Sequence, residues 1–167
     1  MSSALPPRGS DLPLLLLLGF RALIDDVHVE LAAAGHPDFR PLHGITFKAI
    51  GDGTTAAALG RRLGVSKQAA GKTIEGLERD GYVERVPDPD DARSKIIRLT
   101  RRGVEVQQLA FRLMAEQRAR WAGQLGEEQI AALEAALRAI TADRETRFDI
   151  PGWFNGDPAG GGPATGR

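Results

Sequence analysis

A chain of 167 residues with 42% hydrophobic and 26% charged side chains is about the size of one domain, with enough apolar content to bury a core of its own, which excludes a disordered or membrane class. Lysine plus arginine and aspartate plus glutamate balance at 22 each, which excludes a generally basic nucleic-acid coat but leaves room for local patches. Cysteine is absent, which removes disulfides, thiolate metal ligands and cysteine redox sensing together.

Residues 1–9 carry Pro6, Pro7 and Gly9 and read as a flexible N-terminal tail. The apolar run from Leu12 to Phe20 is shorter than the roughly 20 residues a spanning helix needs. It lacks a basic stretch before it and a small-residue cleavage site after it, so a cytoplasmic protein without a signal peptide is expected. Ser10 and Asp11 offer N-cap chemistry, and Pro13 suits a first helical turn. Leu16, Phe20, Leu23, Ile24, Val27 and Leu31 then recur at helical spacing until Gly35 and Pro37 stop the helix. With Leu14, Leu15, Leu17 and Leu18 added, its first half is apolar nearly all round. Such a helix is buried on more than one side, which in a small protein points to a second chain.

A short helix is predicted over His43–Ile50, followed by the turn Gly51-Asp52-Gly53. A third helix runs from Thr54 to Arg62, capped by Thr54 or Thr55. Leu63-Gly64-Val65 is a turn, Ser66 an N-cap, and Lys67–Asp80 a fourth helix closed by Gly81. Tyr82–Val86 and Ile96–Thr100 are β-branched runs flanking a polar tip, which predicts a hairpin. Arg101–Gln124 and Glu127–Phe148 read as two long closing helices. The tail from Gly152 is rich in glycine, proline and alanine and reads as disordered, although Trp153 and Phe154 stand out in it.

The chemistry concentrates between Thr54 and Gly103. Ala57, Leu59, Leu63, Val65, Ala70, Ile74 and Leu77 clamp two short helices across a glycine turn, which is a helix-turn-helix. The start of the second helix is then free to enter a major groove with Ser66, Lys67, Gln68, Ala69, Gly71 and Lys72. Gln pairs bidentately with adenine, and Lys reaches guanine acceptors or phosphate. The capped helix end adds unpaired N–H groups for phosphate. Gly71 is the odd residue, since glycine within a helix costs about 1 kcal/mol relative to alanine. Close approach to DNA and simple small-residue packing are both open explanations. Basic residues outnumber acidic ones across the segment. Arg93 stands at the hairpin tip beside Asp91, which could orient it, with Lys95 following. An arginine held there suits a narrow minor groove, whereas a plain surface Arg–Asp pair contributes under about 1 kcal/mol.

The runs Leu59–Ser66, Leu77–Arg85, Asp88–Lys95 and Leu99-Thr100-Arg101-Arg102-Gly103 resemble the MarR family of regulators. The likeness extends more weakly from about Asp11 to Phe148, and the wing ending in Leu-Thr-x-x-Gly is its specific part. The resemblance implies an obligate homodimer built from the first and last helices, a near-palindromic operator, and Arg93 as the wing-tip minor-groove residue. It also implies a crevice for a small aromatic effector, for which Phe20, His43, Phe47 and Phe111 are the candidate lining, although aromatics at helical spacing are more often core. Two departures stand out. Ala69 and Gly71 replace polar residues common on the recognition helix, and Gly126 stands where a capping serine is usual.

The expected fold is mainly α with a small β-hairpin wing. Residues 10–36 and 101–150 are assigned to dimerisation, 37–100 to the winged helix-turn-helix with Thr54 and Thr55 among its DNA contacts, and 151–167 to the tail. His28, His36 and His43 show no metal-ligand spacing. No phosphate-cradling glycine loop or His-Glu-x-x-His occurs, and Ser66 has a capping role, so neither catalysis nor a cofactor is expected. The function expected is a sequence-specific, ligand-responsive repressor on double-stranded DNA. The alternative is a protein-interaction or architectural module without an operator.

Overall fold

The computed structural model describes residues 11–89, 91 and 93–142. The expectations for both tails, for Asp90 and Ala92 in the wing and for the last helix beyond residue 142 lie outside these residues. The described residues form α1 (Leu12–Ala33), α2 (Pro41–Ile50), α3 (Ala56–Leu63), α4 (Lys67–Arg79), β1 (Val83–Pro87), β2 (Lys95–Leu99), α5 (Arg101–Leu125) and α6 (Glu127–Thr141). The expected class is the one observed: helices with one two-stranded antiparallel hairpin. No helix among the described residues is long and apolar enough to cross a membrane. The chain divides into two units, one comprising residues up to Phe39 with Leu109–Leu137, the other Arg40–Gln108 and residues from Arg138.

In the first unit the α1 periodicity does what its spacing dictates. Ile24, Val27 and Leu31 are buried, as are Phe39, Ala110, Leu113 and Ile130. Asp11 occupies the N-cap position of α1 but makes no side-chain capping bond. Gln117 and His28 bring polar groups into this unit. Buried Gln117 donates from Nε2 to Asp26 Oδ2 at 3.0 Å, and His28 Nδ1 lies 2.8 Å from the Ile24 carbonyl oxygen while its ring stacks on Phe39. Arg118 of α5 ties α6 down, contacting Glu127 at 2.7 Å and Glu134 at 2.8 Å. Gly126 precedes α6 at φ +98°, a left-handed conformation that a capping serine would adopt only with strain. That accounts for the departure noted at this position.

Most of the remaining apolar residues of α1 are uncovered. Leu12, Leu14, Leu15, Leu16, Leu17, Leu18 and Phe20 are 42–60% exposed, and Leu133, Leu137 and Ile140 of α6 are exposed as well. A single helix can pack only part of its circumference against its own chain, so the all-round apolar half of α1 leaves a surplus.

The second unit holds the helix-turn-helix. Thr55, rather than Thr54, caps α3 by accepting from the Ala58 N–H at 3.2 Å. Gly64 turns the chain at φ +71°, and Gly60 permits α4 to approach: a Cβ there would lie 3.1 Å from the Val65 oxygen and 3.6 Å from Ala70 Cβ. Leu59, Leu63, Ala70, Ile74 and Leu77 form the clamp and are buried. The hairpin pairs Val83 with Leu99 through to Pro87 with Lys95. Thr54 adds a bridge, its N–H donating to Ile97 O at 3.0 Å and its carbonyl accepting from Ile97 N–H at 2.7 Å.

Both strands sit one residue away from the prediction, for a physical reason. The Tyr82 N–H closes α4 by bonding Leu77 O at 2.8 Å, so the regular strand begins at Val83, although the Tyr82 carbonyl still accepts from the Thr100 N–H at 3.0 Å. Thr100 ends β2 and starts α5: its hydroxyl accepts from Gly103 N–H at 3.1 Å, capping α5, and donates to Gly81 O at 2.6 Å.

Candidate nucleic-acid interface

Ser66 fixes the start of α4, its Oγ accepting from the Ala69 N–H at 3.1 Å. That leaves the other first-turn N–H groups and the positive end of the helix dipole facing outward, a natural place for phosphate. Ser66, Lys67, Gln68, Ala69 and Lys72 are exposed here, and Gly71 is half-buried. A Cβ at Gly71 would meet nothing within 4 Å, so packing within the chain gives no reason for a glycine. Of the two threonines in the candidate set, Thr55 is occupied as the α3 cap and Thr54 is 5% exposed. Thr54 holds α3 against the wing through its backbone.

At the wing tip the carboxylate of Asp91 accepts from the backbone N–H of Arg93 at 2.9 Å. The tip is closed further by Ser94 N–H to Asp91 O at 2.8 Å and Asp88 N–H to Ser94 O at 3.2 Å. Asp91 therefore shapes the main chain instead of pairing with the guanidinium, as the sequence had suggested it could. Arg93 and Lys95 are exposed.

Charge pairing divides the basic residues of this unit into two groups. Arg85 pairs with Glu78 at 3.0 Å, Arg98 with Glu84 at 2.8 Å and Arg101 with Glu105 at 2.7 Å. The hydrogen bond that Arg101 donates to Glu105, with the charge of that carboxylate, raises the Arg101 pKa above the usual arginine value. Lys67, Lys72, Arg93 and Lys95 make no ion pair with any described residue. Arg61, in the last turn of α3, is exposed and belongs with them. Arg61 is not among the candidate contacts read from the sequence, because linear spacing does not show which cations already have partners.

The wing is anchored at its base. Tyr82 is buried, meets Phe47 edge-on at 6.1 Å, and carries the Arg102 guanidinium 5.2 Å above its ring. Gly103 lies so close to the Tyr82 carbonyl that a Cβ would collide with it. The Leu-Thr-x-x-Gly pattern thus encodes a joint between the hairpin and the first turns of α5.

The four candidate effector residues are divided between the two units. Within the first unit a cavity of about 450 Å³ opens between α1, α5 and α6, and Phe20 lines it with Leu12, Leu16, Leu23, Trp121, Ile130 and Leu133. Arg118 and Glu134 supply its polar wall. Phe111, also in this unit, is 60% exposed and does not line the cavity. In the second unit Phe47 is core, 1% exposed, and His43 helps to start α2, its Nδ1 accepting from the Arg40 N–H at 3.2 Å.

Residues 48–94 match the MarR family. The HTH-type transcriptional regulator BilQ of Clostridioides difficile (strain CD3) is 43% identical over 42 residues, which are 25% of this chain and 28% of that relative. The match thus spans little more than a quarter of the relative's length. FabT of Streptococcus pneumoniae, solved in complex with DNA, superposes with a TM-score of 0.67 at 23% identity, covering 81% of this chain and 96% of its own. RV1404 of Mycobacterium tuberculosis gives 0.68 at 22%, covering 85% and 98%. At these identities the likeness establishes the fold alone, and the match to the family model is confined to the segment from Lys48 to Ser94.

Proposed function

We propose that this chain, whose winged-helix segment is of the MarR family, is a transcriptional regulator that binds double-stranded DNA as a homodimer. The observation that carries the reading is the division of charge. Arg85, Arg98 and Arg101 are paired with glutamates, whereas Lys67, Lys72, Arg93 and Lys95 are exposed and without ion pairs among the described residues. Cations kept free of carboxylates on a near-neutral chain are suited to phosphate and groove contacts.

In this reading Ser66, Lys67, Gln68, Ala69, Gly71 and Lys72 face the major groove, Gln68 reading adenine and the lysines meeting phosphate or guanine. Arg93, held by the Asp91 turn, enters the minor groove, and Lys95 and Thr55 meet the backbone. The uncovered leucines of α1 and the apolar residues of α6 meet their equivalents in a second copy, as large exposed apolar patches do. An isologous dimer sets two α4 helices about 34 Å apart, so the operator is an inverted repeat. A small aromatic effector acts by binding better to the dimer whose wings have the wrong spacing, which makes the protein a ligand-responsive repressor.

Selection from a random DNA library, with and without phenolic compounds, tests this. An inverted-repeat motif whose affinity falls steeply with salt is expected. Recovery of no motif, with no salt dependence, would leave the module as a protein-docking device.

A further inference from the structure

Most structural glycines in the second unit account for themselves. Gly60 lets two helices touch, Gly64 takes a left-handed turn, and Gly103 lies against the Tyr82 carbonyl. Gly71 does none of these, and although Gly44 inside α2 is equally open, Gly71 is the one that lies one turn after Lys67 and beside Lys72 in α4. It lies inside α4, its φ is not positive, and a Cβ on it would meet nothing within 4 Å. Glycine is among the least helix-favouring residues, so the fold carries an unfavourable residue here that its own packing does not require.

The surroundings say what approaches. Helical side chains lean towards the helix start, so a side chain at 71 would cover the turn that carries Lys67 and Gln68. That turn is left as bare backbone. Lys67, one turn earlier, and Lys72, next along the chain, are exposed and make no ion pair with any described residue. Glu75, one turn later, is exposed and repels phosphate, which confines an anionic partner to the earlier turn. The backbone N–H and carbonyl groups inside a helix are already bonded to each other, so this bare patch offers van der Waals contact and no hydrogen bond. Among major-groove features, the thymine C5-methyl is the one read by apolar contact, and Gln68 beside it matches adenine.

We infer that Gly71 is a specificity-determining position: its missing side chain lets α4 seat closely enough for a thymine methyl to rest against the backbone beside Gln68. The inference rests on the DNA-binding reading above. It makes α4 selective for an A·T pair by shape as well as by hydrogen bonding.

The test uses the full-length protein and its selected operator. Gly71→Ala is expected to raise the melting temperature by roughly 2–4 °C, since alanine favours the helix. The same variant is expected to lose roughly tenfold in operator affinity while its salt-driven binding to unrelated DNA stays unchanged. Deoxyuridine placed in turn at each thymine of the half-site should weaken the unsubstituted protein at one symmetric position, and have no effect there on Gly71→Ala. Undiminished operator affinity in the variant, a lower melting temperature, or indifference to every thymine methyl each overturns the inference. Failure of the unsubstituted protein to bind DNA at all is a different result, and removes the reading on which the inference stands.

Discussion

The carboxylate of Asp91 holds the backbone N–H of Arg93 at 2.9 Å, and so fixes the direction of the wing tip without neutralising the guanidinium. Orientation and charge are thereby separated: one residue sets the turn, the other keeps its positive charge for a partner. Arg93→Ala is expected to lower DNA affinity by roughly tenfold across most sequences, with little change in stability, because a wing contact to groove and backbone carries little base information. Asp91→Asn, which retains an accepting oxygen, should bind far better than Asp91→Ala. Fluorescence anisotropy on operator and unrelated DNA at one fixed salt concentration reads both. Equal affinity for Arg93→Ala and the parent protein would remove the wing from the interface.

The joint at the base of the wing predicts a stability effect far from any DNA contact. Thr100→Val removes the hydroxyl that donates to Gly81 O and accepts from Gly103 N–H, and is expected to cost about 1–3 kcal/mol because both groups are partly buried. Gly103→Ala should cost more, since its Cβ would run into the Tyr82 carbonyl and backbone must move. Urea unfolding compares them. A Gly103→Ala variant as stable as the parent would show that the joint gives way freely.

Acid should act on the first unit through Glu127. Its hydrogen bond with Arg118, aided by the charge of that arginine, holds its pKa below the usual glutamate value, while the partner is held above the usual arginine value by Glu127 and Glu134. A carboxylate depressed in the folded state stabilises above its unfolded pKa, and that contribution is lost as pH falls through the lowered folded value. Melting temperature measured against pH should therefore hold through neutrality and decline below the ordinary glutamate range. Glu127→Gln should flatten part of that decline, and high salt should do the same because the pair faces solvent. An identical acid profile in Glu127→Gln would show that other carboxylates govern it.

The exposed leucines of α1 make the oligomer testable. Leu16→Glu or Leu18→Glu places a charge on surface that is 44% and 52% exposed in the single chain, so neither should prevent folding. Each is expected to shift sedimentation towards monomer and to weaken operator binding more than a single half-site loss, since the two-fold pairing of modest half-sites is removed. A Leu16→Glu chain that sediments as the parent would exclude this face from the dimer.

Much of the fold was legible because its signals are local. The 3.6-residue spacing of Ile24, Val27 and Leu31, the cap at Ser66 and the Gly64 turn each act within a few residues and are where the sequence put them, while the α3 cap, left open between Thr54 and Thr55, falls on Thr55. The offset of both strands was not legible. It depends on Tyr82 and Thr100 choosing partners at Leu77 and Gly81 that no strand-propensity argument includes.

By itself, then, the sequence determined the helix-turn-helix, the hairpin and the apolar surplus of α1, because periodicity and capping are properties of neighbouring residues. Only the tertiary structure decided which cations remain unpaired, that Phe47 is core while Phe20 lines a cavity, that Thr54 bridges to Ile97, and that Gly71 faces open space. Those outcomes depend on residues distant in sequence meeting, or failing to meet, and burial and charge pairing exist only once they have.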